Sequence, residues 1–403
     1  MTKYILCLGD GMADWPIRRF SNETPLEVAN TPNMDLMANR GLLGLVQTVP
    51  EGFEPGSDVA NMSVMGYDPY KYYSGRAPLE AVSLGIDVPD GKIVFRCNLV
   101  NIEGGLMKDF SAGHISSEES FILMEELKAG FCDDEILFFA GTCYRNIVLL
   151  DQRYLGVVCE PPHNITDRKI ESYLPTGNFS ENIRSIYRKC HKILKASAVN
   201  KKREQKGLVP ANNIWLWGQG NSPKWPLFKE LYGLDGGVVT AVDLLKGIGK
   251  LAGLDVPNVD GATGFVDTNY EAKMTAAFRI LENNDYVYIH IEAPDESGHM
   301  GDVDLKIKAI EDFDRKVVGK ALDYQKEHGD TIVMVLPDHA TPCITKTHSR
   351  ESVPFVIYDA KDNNKFDRGY SEKAAKNGDV VFYDPGELMK CFLAQGDQGQ
   401  KDR

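Results

Sequence analysis

Thr331-Ile332-Val333-Met334-Val335-Leu336, followed at once by Pro337-Asp338-His339, is the stretch whose reading decides the fold. A short apolar run rich in β-branched residues, ended by a proline, reads as a buried strand. The first polar groups after it are a carboxylate and an imidazole. Two more short apolar runs lead to carboxylates, one of them with a histidine. Tyr4-Ile5-Leu6-Cys7-Leu8 runs into Asp10, and Tyr286-Val287-Tyr288-Ile289-His290-Ile291 runs into Asp295, with His299 four residues on. His348 follows the first-quoted run, in the polar stretch Lys346-Thr347-His348-Ser349. In an open parallel sheet the loops at the carboxyl ends of the strands converge on one edge. Residues distant in sequence can therefore meet there. Three Asp and three His suffice as donors for two metal ions, and mixed oxygen and nitrogen ligation suits Mn²⁺ or Zn²⁺ better than Ca²⁺.

An isolated Asp-x-x-x-His is common by chance, and a single strand-end Asp is often a turn residue or helix cap. The joint pattern is stronger. Of the 8 histidines in the chain, three fall in the segments around Asp295 and Asp338. Gly298, between Asp295 and His299, suggests one tight loop carrying both groups. Asp338 and His339 are adjacent, so their side chains diverge, and they can serve one ion or two.

At 403 residues the chain is longer than a single core usually supports, so two domains are expected. Apolar residues make up 43% and charged residues 26%, as in a soluble globular protein. No run reaches the ~20 apolar residues of a membrane span. No signal peptide is expected, because a strand begins directly after Lys3. The 8 cysteines, at 7, 97, 132, 143, 159, 190, 343 and 391, form no CxxC pair and read as reduced thiols. A net charge of −13 argues against nucleic acid as a partner. An anionic substrate would then need local positive charge, which bound cations can supply.

The remaining pattern divides the chain into three. Residues 1–85 contain Leu42 to Val49 as a second strand. A long Gly, Pro, Ser, Asp and Asn-rich loop from Glu51 to Tyr73 follows, with one helical turn near 58–62. Residues 86–234 have a different texture. Ile93 to Val100, Ile136 to Leu150 and Tyr154 to Cys159 read as strands, and Glu118 to Leu127 and Ile183 to Leu194 as helices. This is an α+β unit of its own. The basic run Lys201 to Lys206 reads as a solvated helix face, with Arg203 alone kept as a substrate candidate. Residues 235–403 resume the α/β rhythm. Val238 to Val242 is a strand and the following residues through Leu251 a helix. Glu271 to Asn284 and Asp302 to Glu327 are helices, Val353 to Tyr358 is a last strand, and a polar tail after Gln395 is expected to fray. The fold class is α/β, interrupted by an inserted α+β domain.

A nucleophile candidate lies in the long loop. Ser57 follows Gly56, and a serine facing a metal centre can lose its proton and attack phosphorus. Read alone, Ser57 is a turn or cap residue. Ser63 is its nearest competitor.

These residues and several longer motifs are similar to the archaeal-type cofactor-independent phosphoglycerate mutases of the alkaline phosphatase superfamily. The resemblance covers nearly the whole chain. It is carried by Leu8-Gly9-Asp10-Gly11-Met12, Gly56-Ser57-Asp58-Val59-Ala60-Asn61, Gly66-Tyr67-Asp68-Pro69, Gly75-Arg76-Ala77-Pro78-Leu79-Glu80 and Phe95-Arg96-Cys97-Asn98. Further on it is carried by the run Ala241 to Gly249, Gly261-Ala262-Thr263-Gly264 with Asp267-Thr268-Asn269-Tyr270, Glu292 to His299, and Pro337-Asp338-His339. The resemblance implies a three-layer alkaline-phosphatase-like core with a mostly parallel sheet. It implies that Asp10, Ser57, Asp338 and His339 hold one metal, and that Asp295, His299 and His348 hold the other. Ser57 is the residue transiently phosphorylated, and Lys246 meets the phosphoryl oxygens. By position, His114, Arg96 and Arg145 of the inserted domain grip the sugar acid.

The activity so implied is interconversion of 3-phosphoglycerate and 2-phosphoglycerate through phosphoserine. It uses two divalent ions (Mn²⁺ first, with Zn²⁺, Mg²⁺ or Co²⁺ compatible) and no bisphosphoglycerate. The enzyme would be cytoplasmic, a monomer or small homo-oligomer, with neither nucleic acid nor membrane as partner. Two alternatives use the same centre: phosphoryl transfer from ATP to homoserine, and plain phosphomonoester hydrolysis. No P-loop or kinase glycine-rich loop is present, which leans against a nucleotide. A non-catalytic binding protein is disfavoured by retention of all the ligand positions with Ser57.

Overall fold

The computed structural model describes residues 2–131, 135–362 and 364–401, the side chains of 397–401 excepted. Cys132 lies outside the described residues, and the other seven cysteines are free thiols. The chain divides into two compact units, Met1–Tyr73 with Trp225–Arg403, and Ser74–Lys224. Both divisions lie earlier than the expected 85/86 and 234/235. Ala77 and Ala81 of the helix Arg76–Ser83 pack on Val94, Ile147 and Leu149, which draws this helix into the second unit. Trp225 stacks on Tyr67 and Phe228 on Tyr286, which draws 225–234 into the first. Among the described residues no helix is long and apolar enough to cross a membrane.

The strands, in chain order, are β1 (Lys3–Gly9), β2 (Leu42–Val46), β3 (Lys92–Glu103), β4 (Leu106–Asp109), β5 (Leu137–Thr142) and β6 (Arg145–Asp151). They continue as β7 (Asn213–Gly220), β8 (Gly236–Val239), β9 (Tyr286–Ile291), β10 (Thr331–Leu336), β11 (Val353–Asp359) and β12 (Val380–Phe382). The first unit is built on a seven-stranded sheet in the order β12-β2-β11-β10-β1-β9-β8. Every pairing is parallel except those of β11, which runs against both its neighbours. The continuous apolar runs of β1, β9 and β10 are explained by burial on both faces. Ile5, Cys7, Val287, Ile289, Val333 and Val335 belong to the core on one face, with Met274, Ala277 and Phe313 from the covering helices. The alternate residues face the other way, where Tyr4 meets Phe392 of the helix Pro385–Lys401 edge to face. That helix takes in Gln395, after which a polar tail was expected.

Register decides where the site forms. Leu8 pairs with Leu336 and with His290, and Gly9 with Ile291, so β10, β1 and β9 end level with one another. The polar residues that follow each strand must therefore share one edge.

Several local expectations give way to tertiary context. The long loop carries two helices, Ser57–Val64 and Pro69–Tyr72. The expected helix 302–327 is continuous in path but contains a π turn, Asp314–Val318, between Val303–Phe313 and Gly319–His328. The buried Asp314 carboxylate there accepts from Asn33 and Met34 backbone N–H groups at 3.3 and 2.7 Å, and so caps the neighbouring helix Pro32–Arg40.

The second unit is an antiparallel five-stranded sheet, β4-β3-β6-β5 with β7 on the other side of β3. The helices Ser117–Gly130 and Ser180–Ala196 supply Leu123, Leu127, Ile183 and Cys190 to its main core. The stretch 136–150 is two strands rather than one. Thr142 pairs with Arg145 across a two-residue turn, and Cys143 adopts the left-handed conformation there (φ 54°). Residues 154–159 are not a strand. Gln152–Tyr154 forms a 3₁₀ turn, and only Val158 makes an isolated bridge, to Thr176.

One buried cation joins the loops at the sheet edge. The Lys306 side chain is fully buried, and its ammonium donates to the Ala13 carbonyl (3.0 Å), the Asp14 carboxylate (2.9 Å) and the Thr341 carbonyl (2.9 Å). It thereby ties the loop after β1 to the loop after β10. Removing it leaves the buried Asp14 carboxylate without its cation. The Lys306→Met substitution is expected to cost about 3–5 kcal/mol in urea unfolding, and the double substitution with Asp14→Asn less than the sum of the singles. A cost below about 1 kcal/mol would contradict this role.

Candidate metal centre

Asp10 is the first residue after β1 and is 1% exposed. Asp338 and His339, just after β10, are fully buried. Asp295 and His299 do not share a tight loop. They lie one turn apart on the helix Ala293–Met300, which has Pro294 in its first turn and stops at Gly301 in the left-handed region (φ 72°). The i, i+4 spacing puts both on one helix face. Gly298 serves close packing rather than a turn: a Cβ there would sit 2.5 Å from the Thr341 carbonyl oxygen.

Two sets of donor atoms converge. Asp295, His299 and His348 form one, and Asp10, Asp295 and His339 the other, each with ligand atoms within 4.8 Å of one another. Asp295 belongs to both. Asp338 lies beside the second set, its Oδ2 3.4 Å from His339 Nε2. Its remaining valences are filled by N–H groups of Gly11 (3.1 Å), His339 (2.9 Å) and the Asn61 amide (2.7 Å). Ser57 opens the helix Ser57–Val64, with its Oγ 3.2 Å from His339 Nε2. Ser63 is fully buried in the same helix and its hydroxyl has no hydrogen-bond partner.

The imidazoles are held in one tautomeric sense. His299 Nδ1 lies 3.0 Å from the Lys346 carbonyl, and His348 Nδ1 3.2 Å from the Pro55 carbonyl. A carbonyl can only accept, so each Nδ1 carries its hydrogen. The Thr341 hydroxyl donates to Asp295 Oδ1, and its oxygen is then an acceptor for His339 Nδ1 at 3.2 Å. All three Nε2 atoms thus turn toward the carboxylates. Those of His299 and His348 are only 3.0 Å apart, which requires a proton or a cation between them.

Electrostatics points the same way. Burial first, and then the charges of Asp338, Asp295 and Glu292, hold the Asp10 carboxyl well above the usual carboxylate range. Asp10 Oδ1 is buried and has no hydrogen-bond partner. Burial raises the Asp295 carboxyl, but hydrogen bonds to His299 and His348 and the imidazole charges outweigh it and hold it well below that range. Burial lowers the His299 imidazole, yet the Asp295 hydrogen bond and charge raise it overall to about 9. Burial pushes His339 down. A divalent cation fits this donor set: it satisfies the orphaned Asp10 oxygen, screens the carboxylates from one another and replaces the proton between the imidazoles.

Sequence reading missed the groups behind the donors. Asn61, fully buried, bridges Asp338 and the Ser57 carbonyl (2.9 Å), and Tyr288 donates to its side-chain oxygen. His290, on the same face of β9 as Tyr288, lies 2.8 Å from Asp10 Oδ2. Burial, and then the Lys273 ammonium, push its pKa well below the ordinary value. The signal was present: two hydrogen-bonding residues at alternate positions of a strand buried throughout. Lys246 lies in the helix Asp243–Leu251 of the first unit, its ammonium 3.1 Å from Asp243.

In the second unit, Arg96 is 5% exposed and donates to Glu80 at 2.7 Å, with its guanidinium 4.8 Å from the Trp217 ring. Its Nε is buried without a partner. Burial lowers its pKa to about 10; the Glu80 charge opposes this, and the Arg76 and Arg145 charges add to it. Arg76 and Arg96 thus share the Glu80 carboxylate, and Arg145 is near enough for its charge to act on Arg96. His114 is exposed at the end of a turn in which Ala112, Gly113 and His114 are all left-handed (φ 50°, 66° and 49°). Arg203 is not a solvated candidate. It is 4% exposed, and it donates to Glu119, the Val209 carbonyl (2.8 Å) and the Ala112 carbonyl (2.9 Å). Its guanidinium is spent holding the His114 turn.

A family model described as 2,3-bisphosphoglycerate-independent phosphoglycerate mutase matches residues 38–200. The enzyme of that name from Methanosarcina barkeri is 48% identical over 395 residues, 97% of this chain and 99% of that one. A probable enzyme of that name from Geobacter sulfurreducens is 46% identical, again over 97% and 99%. Among solved structures, the cofactor-independent phosphoglycerate mutase of Thermoplasma acidophilum is 25% identical, with a TM-score of 0.64 over 97% of this chain and 100% of that one. A Pyrococcus horikoshii protein is 27% identical, with a TM-score of 0.81 over 98% and 97%.

Two outcomes are expected. The proton on His299 competes with the cation, so it must leave as metal binds. Since the His299 pKa is raised to about 9, Mn²⁺ affinity rises with pH from neutrality and levels off near that value. Calorimetry in buffers of different ionisation enthalpy should record proton release, and an affinity independent of pH over this range would contradict the reading. Gly11 is left-handed (φ 59°), and a Cβ there would sit 2.3 Å from Asp295 Oδ1 and 2.7 Å from its Cα. Gly11→Ala is therefore expected to weaken Mn²⁺ binding by at least about tenfold. Gly52→Ala, also left-handed but with nothing within 4 Å of its Cβ, should leave binding unaltered.

Proposed function

The chain belongs to the 2,3-bisphosphoglycerate-independent phosphoglycerate mutase family, and from that membership we propose how its residues carry out the reaction. The enzyme interconverts 3-phosphoglycerate and 2-phosphoglycerate. As the family's name states, 2,3-bisphosphoglycerate is not required. A phosphoryl group must then leave one glycerate oxygen and reach the other, with a carrier between. The single observation that supports Ser57 as carrier is its position: Oγ 3.2 Å from His339 Nε2, at the start of a helix.

With His339 Nδ1 hydrogen-bonded to Thr341, the Nε2 lone pair faces Ser57 Oγ, where a cation held by both would lower the serine pKa. Ser57 Oγ attacks phosphorus as its proton departs, the bond to the substrate oxygen breaks, and that oxygen takes a proton to become a glycerate hydroxyl. In the return step the other glycerate hydroxyl attacks phosphoserine and Oγ regains its proton. The positive end of the helix Ser57–Val64 favours the anionic phosphoryl group at this point. Two divalent cations, one held by Asp295, His299 and His348 and one by Asp10, Ser57, Asp338 and His339, would supply Lewis-acid chemistry that lowers the serine pKa and neutralises phosphoryl charge. Mn²⁺ is the ion of choice for this oxygen and nitrogen set, with Zn²⁺, Mg²⁺ and Co²⁺ compatible. Lys246 contacts phosphoryl oxygens, exchanging its Asp243 partner for them.

Arg96, Arg145 and His114 recognise the sugar acid. The excess of guanidinium over carboxylate around Glu80 supports this, since planar forks match carboxylate and phosphate. So does the strained turn at His114, which Arg203 braces. Arg76 joins this group on the same ground.

The test is turnover of 3-phosphoglycerate with Mn²⁺, followed by phosphorus NMR, in parallel with homoserine plus ATP and a generic phosphomonoester. Mutase turnover is expected to predominate. Ser57→Ala should lower kcat by at least about 10³-fold, and quenched wild-type enzyme should carry a phosphate mass increment on the Ser57 peptide. Ser57→Ala within tenfold of wild type, or phosphohomoserine formed without mutase turnover, would overturn the proposal.

A further inference from the structure

The β9 strand contributes more than a neighbour for β1. We propose that His290, backed by Thr240, is a positioning residue that holds Asp10 with one oxygen turned to the metal. This rests on the metal-centre reading above and concerns groups that are not themselves ligands.

The hydrogen-bond chain has one direction. The Val242 N–H donates to Thr240 Oγ1 at 3.0 Å, so that oxygen is already an acceptor. Its hydrogen and its second lone pair remain for His290 Nδ1, 3.2 Å away. A metal-ligating, ionised Asp10 oxygen can only accept, so the proton of the neutral ring resides on Nε2, and Nδ1 is the acceptor to which Thr240 donates. Nε2 lies 2.8 Å from Asp10 Oδ2 and donates to it. The opposite tautomer would set a ring lone pair against an ionised carboxylate oxygen at that distance. All members of the chain are enclosed: His290 is fully buried, Asp10 is 1% exposed and Thr240 2%. Bulk solvent does not reach them to substitute for a missing donor.

The consequence falls on the other carboxylate oxygen. Asp10 Oδ1 is buried, has no hydrogen-bond partner, and lies 3.6 Å from His339 Nε2. Oδ2 is committed to His290, so Oδ1 alone is available to a cation. Asp10 thus binds through one oxygen, in an orientation set from β9 and, behind it, from the residue just after β8. A donor hydrogen-bonded to a ligating carboxylate also fixes its rotamer before the ion arrives, and loss of such a group commonly costs 10- to 100-fold in metal affinity. Tyr288, two residues earlier on the same face, does the corresponding work for Asp338 through Asn61. β9 therefore braces two of the three carboxylates, while its own carboxylate, Asp295, lies beyond its end.

The experiment compares Mn²⁺ affinity by calorimetry, and the visible spectrum of the Co²⁺-loaded protein, across four chains: the unaltered protein, His290→Leu, His290→Gln and Thr240→Val. His290→Leu should bind Mn²⁺ about 10- to 100-fold more weakly. His290→Gln keeps an N–H donor near the Nε2 position and should recover most of that loss. Thr240→Val keeps the shape but leaves the buried Nδ1 without its partner, and should weaken binding and shift the Co²⁺ bands, which respond to the ligand field and not to packing elsewhere. If His290→Leu fails to fold, His290→Gln and Thr240→Val decide. Affinities within threefold of the unaltered protein and unshifted Co²⁺ bands in the variants that fold would overturn the inference. An unaltered protein that binds no Mn²⁺ would instead remove the metal-centre reading on which it stands.

Discussion

Three carboxylates buried at the ends of three adjacent strands repel one another, and the rest of the first unit is arranged around that repulsion. Asp10, Asp295 and Asp338 are each at most 5% exposed, so solvent screens them poorly. Neighbouring negative charge adds to burial in raising the Asp10 carboxyl, while Asp295 is pulled down by imidazoles on either side. Such a cluster persists in a folded protein only if positive charge is delivered to it. The fold supplies imidazole nitrogens turned inward, and sets of donor atoms that cations would fit. Net charge is consistent with this division of labour. Segment 74–224 is close to neutral, so the excess behind the overall −13 lies in the unit that carries the carboxylates.

Each supporting element can be read as a way of keeping those groups in place. Lys306 ties the loops after β1 and β10 together with all three of its donor hydrogens. Gly11 lets the backbone pass against Asp295. Carbonyls of Lys346 and Pro55 and the hydroxyl of Thr341 fix three imidazole tautomers. Asn61, Tyr288 and His290 orient two carboxylates from behind. Level strand ends, a consequence of parallel register, bring all of this to one edge.

The donors were legible in the sequence because their physics is local: a strand buried on both faces shows as an unbroken apolar run, and the carboxylates and imidazoles that follow it stand out. What depended on tertiary packing was not legible. Asp295 and His299 read as a loop because Gly298 looks like a breaker, yet glycine there answers to the Thr341 carbonyl, and Pro294 and Gly301 bracket a helix. His290 was hidden inside an apolar run, where a lone polar residue passes for core. Arg203 sat in a basic stretch that resembled a solvated face, and only the fold reveals that its guanidinium is enclosed. The run 136–150 concealed a turn because Cys143 takes a left-handed conformation that its residue type does not advertise. Residues 154–159 had the composition of a strand but found no ladder partner beyond one bridge.

The central claim is that paired cations, and not a proton network, complete this cluster. Crystals grown with Mn²⁺ and measured at its absorption edge test it directly. The account predicts two anomalous peaks, one among Asp295, His299 and His348 and one among Asp10, Asp338, His339 and Ser57. A map without peaks at these donors, from protein that still turns over phosphoglycerate in the same solution, would contradict it.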